Sequence, residues 1–387
     1  MSPPVSFDPK IVTAGTVDAA VESEPEQTGL VRTEAPPPSI GSGKIKELDG
    51  LRGLAISLVL ISHLSFPTPS VERIVTNGWV GVDLFFVLSG FLITGILLRQ
   101  REAPHYYKNF YARRTLRIFP AYYMALIAAI SGALLVGSDY ESLRQWGSPW
   151  WFVFFLGNFR QAVVPFWPKP IYFAQLWSLQ VEEQFYLVYP FFVRNLSTRR
   201  LSRLLVAVVL VALAIRSWTV WWGHANVLLP FVLTICRADS LAIGALVAVY
   251  IRNRRLPKPG RWMDALVVLG SVLLLTLHCD PYSAFFRSVG YTLVAAFFAT
   301  VLLWTLSRMG EPATAILRCG PLPWLGVISY GLYLWFQFAY LRLGFEFNSV
   351  VLDTLIQFAK PAGAIVLGLA SFHFIEKPYL KRKEQFQ

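Results

Sequence analysis

From Leu51 onward the chain alternates long apolar runs with short polar connections, the runs falling near 51–66, 79–98, 118–137, 174–193, 203–222, 236–251, 263–278, 289–306, 324–342 and 351–374. A helix needs ~20 apolar residues to cross the hydrocarbon core of a bilayer, and these runs are of about that length. Within that core every backbone polar group must be satisfied internally, which favours helices. The expected fold is all-α: a polytopic membrane helix bundle of about ten transmembrane helices, one domain over residues 46–387. An eleventh stretch, Trp150–Asn158 (WWFVFFLGN), is too short to cross in helical form and is expected to be re-entrant or interfacial. Residues 1–45 are rich in Pro, Ser, Glu and Thr and hold no apolar run, so a disordered N-terminal tail is expected there. No cleavable signal precedes the first run, so that run is expected to direct insertion itself. No internal repeat or second domain is visible.

Charge orients the bundle. Of 387 residues 15% are charged and 55% hydrophobic, and the net charge is +12. In a soluble protein such a surplus would suggest nucleic acid; here it collects in alternate loops, as the positive-inside bias of membrane proteins requires. With ten crossings, one side carries the basic residues of 99–117, 194–203, 252–261 and 377–383, while the other holds scattered ones such as Arg73, Arg144, Arg160, Lys169 and Arg287. Counting WWFVFFLGN as a crossing would break this bias. Both termini are therefore expected on the cytoplasmic side. The three cysteines, Cys236, Cys279 and Cys319, lack metal-ligand spacing and read as packing residues, with a Cys236–Cys279 disulfide allowed by the topology.

Charged residues inside a hydrocarbon core cost several kcal/mol unless they face a cavity or a partner, so they are the candidate functional groups. The first run carries Arg52 and His63. Eleven residues apart on a helix, they share a face and stand ~16 Å apart along the axis. The fourth run carries two adjacent carboxylates, Glu182 and Glu183, and helical rise places them at a depth similar to that of His63. An imidazole and a carboxylate at matched depth suit a general base and the group that orients it. A histidine satisfied by a neighbouring helix, or glutamates paired with Arg216 or Arg237, is the plainer reading. The second run opens with Asp83, which either orients His63, binds a cation or serves as a helix-start carboxylate. Ser89-Gly90 reads as a close helix-packing site and not as a nucleophile elbow. Arg113, Arg114 and Arg117 follow in RRTLR, where guanidinium forks suit phosphate, with positive-inside anchoring as the competing reading.

Seven segments in order, LDGLRGLAISLVLISH, GVDLFFVLSGFLIT, FYARRTLRIFPAYY, LWSLQVEEQFYLVYP, RADSLAIGALVAV, WLGVISYGLYLW and IEKPYL, resemble the acyltransferase type-3 family, polytopic membrane enzymes that O-acylate cell-surface polysaccharides and related acceptors. The resemblance runs from about 45 to 383. It implies that Arg52 and His63 are required for transfer and that Arg113, Arg114 and Arg117 serve the acyl donor. It also implies roles for Trp177 through Tyr186, including Glu182 and Glu183, and for Arg237 and Asp239. The family usually reads LYLWH where this chain has Phe336, which implies a different or more apolar acceptor, or a less demanding role. The chain stops after the tenth run, so an acyl relay to an extra hydrolase-like domain is expected to need a separate protein.

The resulting expectation is an O-acyltransferase of the bacterial inner (plasma) membrane. It takes acyl-CoA as co-substrate, with no bound cofactor or metal, and passes the acyl group to a hydroxyl of a carbohydrate or glycolipid. His63 acts as base, steadied by Glu182 or Glu183, with Arg52 near the donor; Asp83, Trp177, Arg237 and Asp239 lie on the acceptor side. Membrane lipids are the other partner, and nucleic acid is not. The alternative is a proton-coupled transporter or flippase for an anionic or acylated substrate, since buried Arg, His and Glu also describe such carriers. Carriers often show two related halves, which this chain lacks.

Overall fold

The computed structural model describes residues 45–66, 68–135, 146–164, 167, 174–223, 226–254, 256–340, 350–382 and 385. The chain divides into Met1–Ser39 and Ile40–Gln387, and all described residues belong to the second unit. The expected N-terminal tail therefore lies outside the described residues. No strand occurs among them.

Each apolar run coincides with a helix: α1 (Lys46–Ser62), α2 (Gly81–Arg99), α3 (Tyr106–Leu135), α4 (Leu176–Asn195), α5 (Thr198–Trp221), α6 (Thr234–Asn253), α7 (Arg261–Thr276), α8 (Tyr291–Ser307), α9 (Pro321–Ala339) and α10 (Val350–Ala370). Six helical stretches are long and apolar enough to cross a membrane: Pro69–Arg99, Tyr106–Leu134, Thr198–Trp221, Leu229–Asn253, Phe286–Ser307 and Leu355–Arg382. The shortfall from ten has a physical reason at three helices. α1 and α7 hold only 17 and 16 residues, and α4 carries Gln180, Glu182, Glu183 and Gln184 in its middle. The WWFVFFLGN stretch does not form one helix. It breaks into Trp150–Val153 and a turn through Phe155, whose φ is +57°, before Gly157–Val163.

Helices pack where small residues let backbones approach. Gly90 of α2 faces Leu241 and Gly244 of α6 faces Val87, so the two helices exchange close contacts in both directions. α1 lies against α9 in the same way, with Gly326 over the Asp49 carbonyl. α5 and α7, by contrast, bury little. Met263 is the one buried residue among those described in α7, and Leu210, Trp218, Leu266, Val268 and Leu269 are exposed. An apolar belt of that extent is costly in water and favourable against lipid tails.

A Cβ at Gly90 would stand 1.9 Å from the Leu241 carbonyl oxygen, whereas at Gly132 it would meet nothing within 4 Å. Gly90→Ala is therefore expected to destabilise the detergent-solubilised protein by about 1–3 kcal/mol, the usual cost of overpacking. Gly132→Ala should leave the thermal unfolding midpoint unchanged or slightly raised.

Candidate functional site

The basic end of the bundle is built by α2 and α3, which meet at the turn after Arg99. A cavity of about 330 Å³ opens there, lined by Arg99, Gln100, Arg113, Arg114 and Arg117 among others. It shares Ile93, Ile96, Arg114 and Arg117 with a second cavity of about 210 Å³ deeper in the bundle, which adds Arg52, Ser89, Glu182, Tyr186 and Tyr330 to its wall. Arg52, Arg114 and Arg117 thus come together, as expected from placing Arg52 near the donor, and Arg113 joins them at the mouth. Arg114 stacks 3.9 Å above the Tyr186 ring and reaches both glutamates, 3.9 Å from Glu182 Oε2 and 3.8 Å from Glu183 Oε1. Ser89 donates to Glu182 Oε1 at 2.7 Å. Ser89-Gly90 therefore splits its work: Gly90 admits α6, and Ser89 turns to the cavity.

His63 lies at the other end. It is the residue that ends α1, and it opens on a third cavity of about 380 Å³. The walls are aromatic, with Trp79, Trp167, Trp177, Phe231, Tyr282 and Phe336, and polar at Gln175, Gln337, His278 and Asp280. Phe336 packs edge-on against the imidazole with centroids 4.8 Å apart. The position where the sequence departs from the family pattern thus touches the candidate base directly. His63 Nδ1 lies 2.8 Å from the Val59 carbonyl oxygen. A carbonyl only accepts, so this contact assigns the proton to Nδ1 and leaves the Nε2 lone pair as the basic site.

The expected meeting of His63 with Glu182 or Glu183 does not occur. Gln175 and Trp177 line the cavity of His63, and Glu182 follows five to seven residues later, ~8–10 Å farther along α4. Because α1 ends at Ser62, the imidazole sits at the rim of the bundle and not at the depth of the acids. The glutamates belong to the arginine cavity. The two cavities nevertheless adjoin, since Val82 and Tyr333 contribute to both walls. The Tyr333 hydroxyl is held there by Ser178 at 2.6 Å and by the Gln175 carbonyl at 3.1 Å.

Asp83 neither orients His63 nor stands open to a cation. Its Oδ1 accepts from Arg237 Nη2 and from the Ser240 hydroxyl, each at 2.8 Å. Arg216, proposed as a partner of the glutamates, binds Asp239 Oδ2 at 2.9 Å, the Ser288 carbonyl at 3.1 Å, and also the Cys236 carbonyl and Thr292. All four charged side chains are fully buried. Of the residues expected on the acceptor side, Trp177 lines the cavity of His63, while Asp83, Arg237 and Asp239 pack between α2, α5, α6 and α8. Aromatic rings enclose the Arg237 guanidinium, with Tyr291 at 4.2 Å and Trp177 at 5.8 Å. Cys236 and Cys279 are free thiols, so the allowed disulfide is not formed.

Comparison with known proteins bears on this arrangement. A family model described as an acyltransferase domain matches residues 45–372. The chain belongs to that family. A peptidoglycan O-acetyltransferase of Listeria monocytogenes is 30% identical over 372 aligned positions, covering 87% of this chain and 56% of that protein. A putative peptidoglycan O-acetyltransferase of Bacillus subtilis is 28% identical, covering 86% and 54%. A putative O-acetyltransferase of Staphylococcus aureus is 26% identical, covering 87% and 57%. The chain spans a little over half the length of these curated relatives. No solved structure matches it. The membership spans nearly all of the helical bundle, so both ends of the passage belong to the acyltransferase domain.

Some residues of the site escape a reading by motif. Arg99 and the aromatic group Trp79, Trp167 and Tyr282 come from segments that look like helix ends and ordinary apolar runs, Tyr333 lies in a quoted segment without an assigned role, and only the fold brings them to a cavity. Removing one member of a buried ion pair leaves an uncompensated charge, at about 3–5 kcal/mol. Arg237→Met alone is expected to destabilise by that amount, and D83L/R237M to recover most of it, read as thermal midpoints in detergent.

Proposed function

We propose that the chain is a membrane O-acyltransferase that takes an acyl group, acetyl by default, from acyl-CoA at the basic end and passes it to a hydroxyl of a cell-envelope carbohydrate or glycolipid at the His63 end. The observation that carries this reading is the row of three adjoining cavities, which runs from a guanidinium cluster to a histidine. The phosphates of the donor pair with Arg99, Arg113 and Arg117, whose forked donors match phosphoryl oxygens. Its pantetheine arm extends past Arg52 and Ser89, over the ~16 Å of helix between Arg52 and His63.

At the far end the acceptor hydroxyl gives its proton to His63 Nε2 as its oxygen attacks the thioester carbonyl. The acyl–sulfur bond breaks, the leaving thiolate takes up the proton that His63 gained and departs as the thiol, and the ester leaves on the acceptor side. With no glutamate at the imidazole, the Val59 carbonyl carries the orienting role and the aromatic wall holds the acceptor. Stacking on Trp and Tyr faces suits sugar rings, which expose apolar C–H faces between their hydroxyls. The relatives' names, peptidoglycan O-acetyltransferase, support acetyl as the group and a cell-wall glycan as the acceptor. Glu182 and Glu183 serve the donor side, where they keep Arg114 from acting as an uncompensated charge. The basic loops favour a donor end in the cytoplasm, and the bacterial relatives favour a bacterial plasma membrane.

Purified protein in nanodiscs with labelled acetyl-CoA and a soluble glycan acceptor tests the proposal. Thiol release and label transfer without any gradient are expected, and His63→Ala should lose about 10²- to 10⁴-fold in rate while folding normally. A folded His63→Ala protein that transfers at the wild-type rate would overturn it, and label that crosses the bilayer without transfer would favour the carrier.

A further inference from the structure

Glu376 is a buried carboxylate beside the arginine cavity, and the proposed reaction does not use it. α10 is followed by a π-helical turn, Ser371–Glu376. The extra residue of such a turn re-aims the side chains after it, and turns of this kind recur at functional sites. Here it carries Glu376 inward, 6% exposed, although its neighbour Phe374 is 82% exposed. Ser371 donates to Glu376 Oε1 at 3.2 Å. The same oxygen fills the notch at Gly331 of α9, lying 2.6 Å from where a Cβ would be.

That notch adjoins the donor side of the passage. Tyr330, the residue before Gly331, lines the 210 Å³ cavity and donates to the Ile118 carbonyl at 2.7 Å, next to Arg117. Arg117 lines both that cavity and the mouth. Glu376 attracts Arg117, while Arg52 and Arg114 repel it; Glu376 in turn feels Arg117 more strongly than Arg52. Among the described residues no ion pair or hydrogen bond of Arg117 is formed. Glu376 forms no ion pair with the guanidinium and so does not occupy its donors.

We propose that Glu376 is a positioning residue for the donor: it holds Arg117 against the repulsion of Arg52 and Arg114, with the fork directed into the cavity for a phosphate group. This rests on the acyl-CoA reading above. The close pair Asp83–Arg237, at 2.8 Å, cannot serve this purpose, because it lines neither cavity of the donor side. A carboxylate set farther back orients the cation and leaves its hydrogen bonds to the ligand.

The test is a double-mutant cycle in nanodiscs with acetyl-CoA as the probe, using R117Q, E376Q, E376D and R117Q/E376Q. Glu376→Gln is expected to raise KM for acetyl-CoA about tenfold with kcat within about twofold, and E376D to restore most of the difference. The double variant should be no worse than R117Q alone, since Glu376 acts through Arg117. A role in field strength alone would do the reverse, because removing a negative charge would tighten binding of the anionic donor. A role in folding alone would lower the thermal midpoint and leave the two effects independent. An unchanged or lowered KM in E376Q, or losses that multiply in the double variant, would overturn the inference and leave the acyl-CoA reading intact. If E376Q does not fold, the cycle of E376D with R117Q carries the same test, with about a twofold to fivefold rise in KM expected. Wild-type protein that neither binds nor turns over acetyl-CoA would overturn both.

Discussion

Charge inside a hydrocarbon layer has to be answered by other charge, and this constraint arranges the whole bundle. It is met here in two ways that differ in distance. Arg237 and Arg216 meet Asp83 and Asp239 at 2.8 and 2.9 Å, fully buried, with hydroxyl groups filling further sites. Arg114 stands 3.8–3.9 Å from its two glutamates and borders open space. Close pairs lock α2, α5, α6 and α8 together. Loose ones leave donors available, and all of them surround the basic end of the passage. Contact distance, more than the presence of charge, separates the part that holds the fold from the part that meets a ligand.

Much of this was legible along the chain. The ten apolar runs each became a helix, and the 20° offset between Arg52 and His63 rightly placed both on the face that lines the cavities. Arg52 also lines a cavity with Arg114 and Arg117, in keeping with its expected place near the donor. What failed was depth. Helical rise was counted from the end of an apolar run, and apolar residues continue past the last hydrogen-bonded turn of α1, so His63 was placed too deep. Partner choice failed as well. Asp83, Arg216, Arg237 and Asp239 are separated by up to 156 residues, and nothing local tells which acid meets which base. Glu376 lies in the quoted IEKPYL segment, but it follows the last apolar run and precedes a cluster of lysines, so nothing local marks it as buried.

The two ends of the passage also differ in how they are built. The donor side uses long, charged side chains from α1, α3 and α4, which adapt to an anion. The acceptor side uses rigid aromatic walls drawn from several connecting segments, including Trp167 and Tyr282, which are joined by a 2.8 Å hydrogen bond. Phe336 belongs to the rigid set. Where a second imidazole would offer another proton carrier beside His63, Phe336 presents only a phenyl edge.

The hydrogen bond from His63 to the Val59 carbonyl has one more consequence. In many enzymes the acid that steadies a catalytic histidine is itself a side chain, and it can be found by looking for a residue whose identity changes in step with the histidine. Here the steadying group is main chain, supplied by the last turn of the helix that bears the ring. No substitution can delete it, and no second position has to mutate in concert, so the tautomer is inherited from the shape of α1 alone.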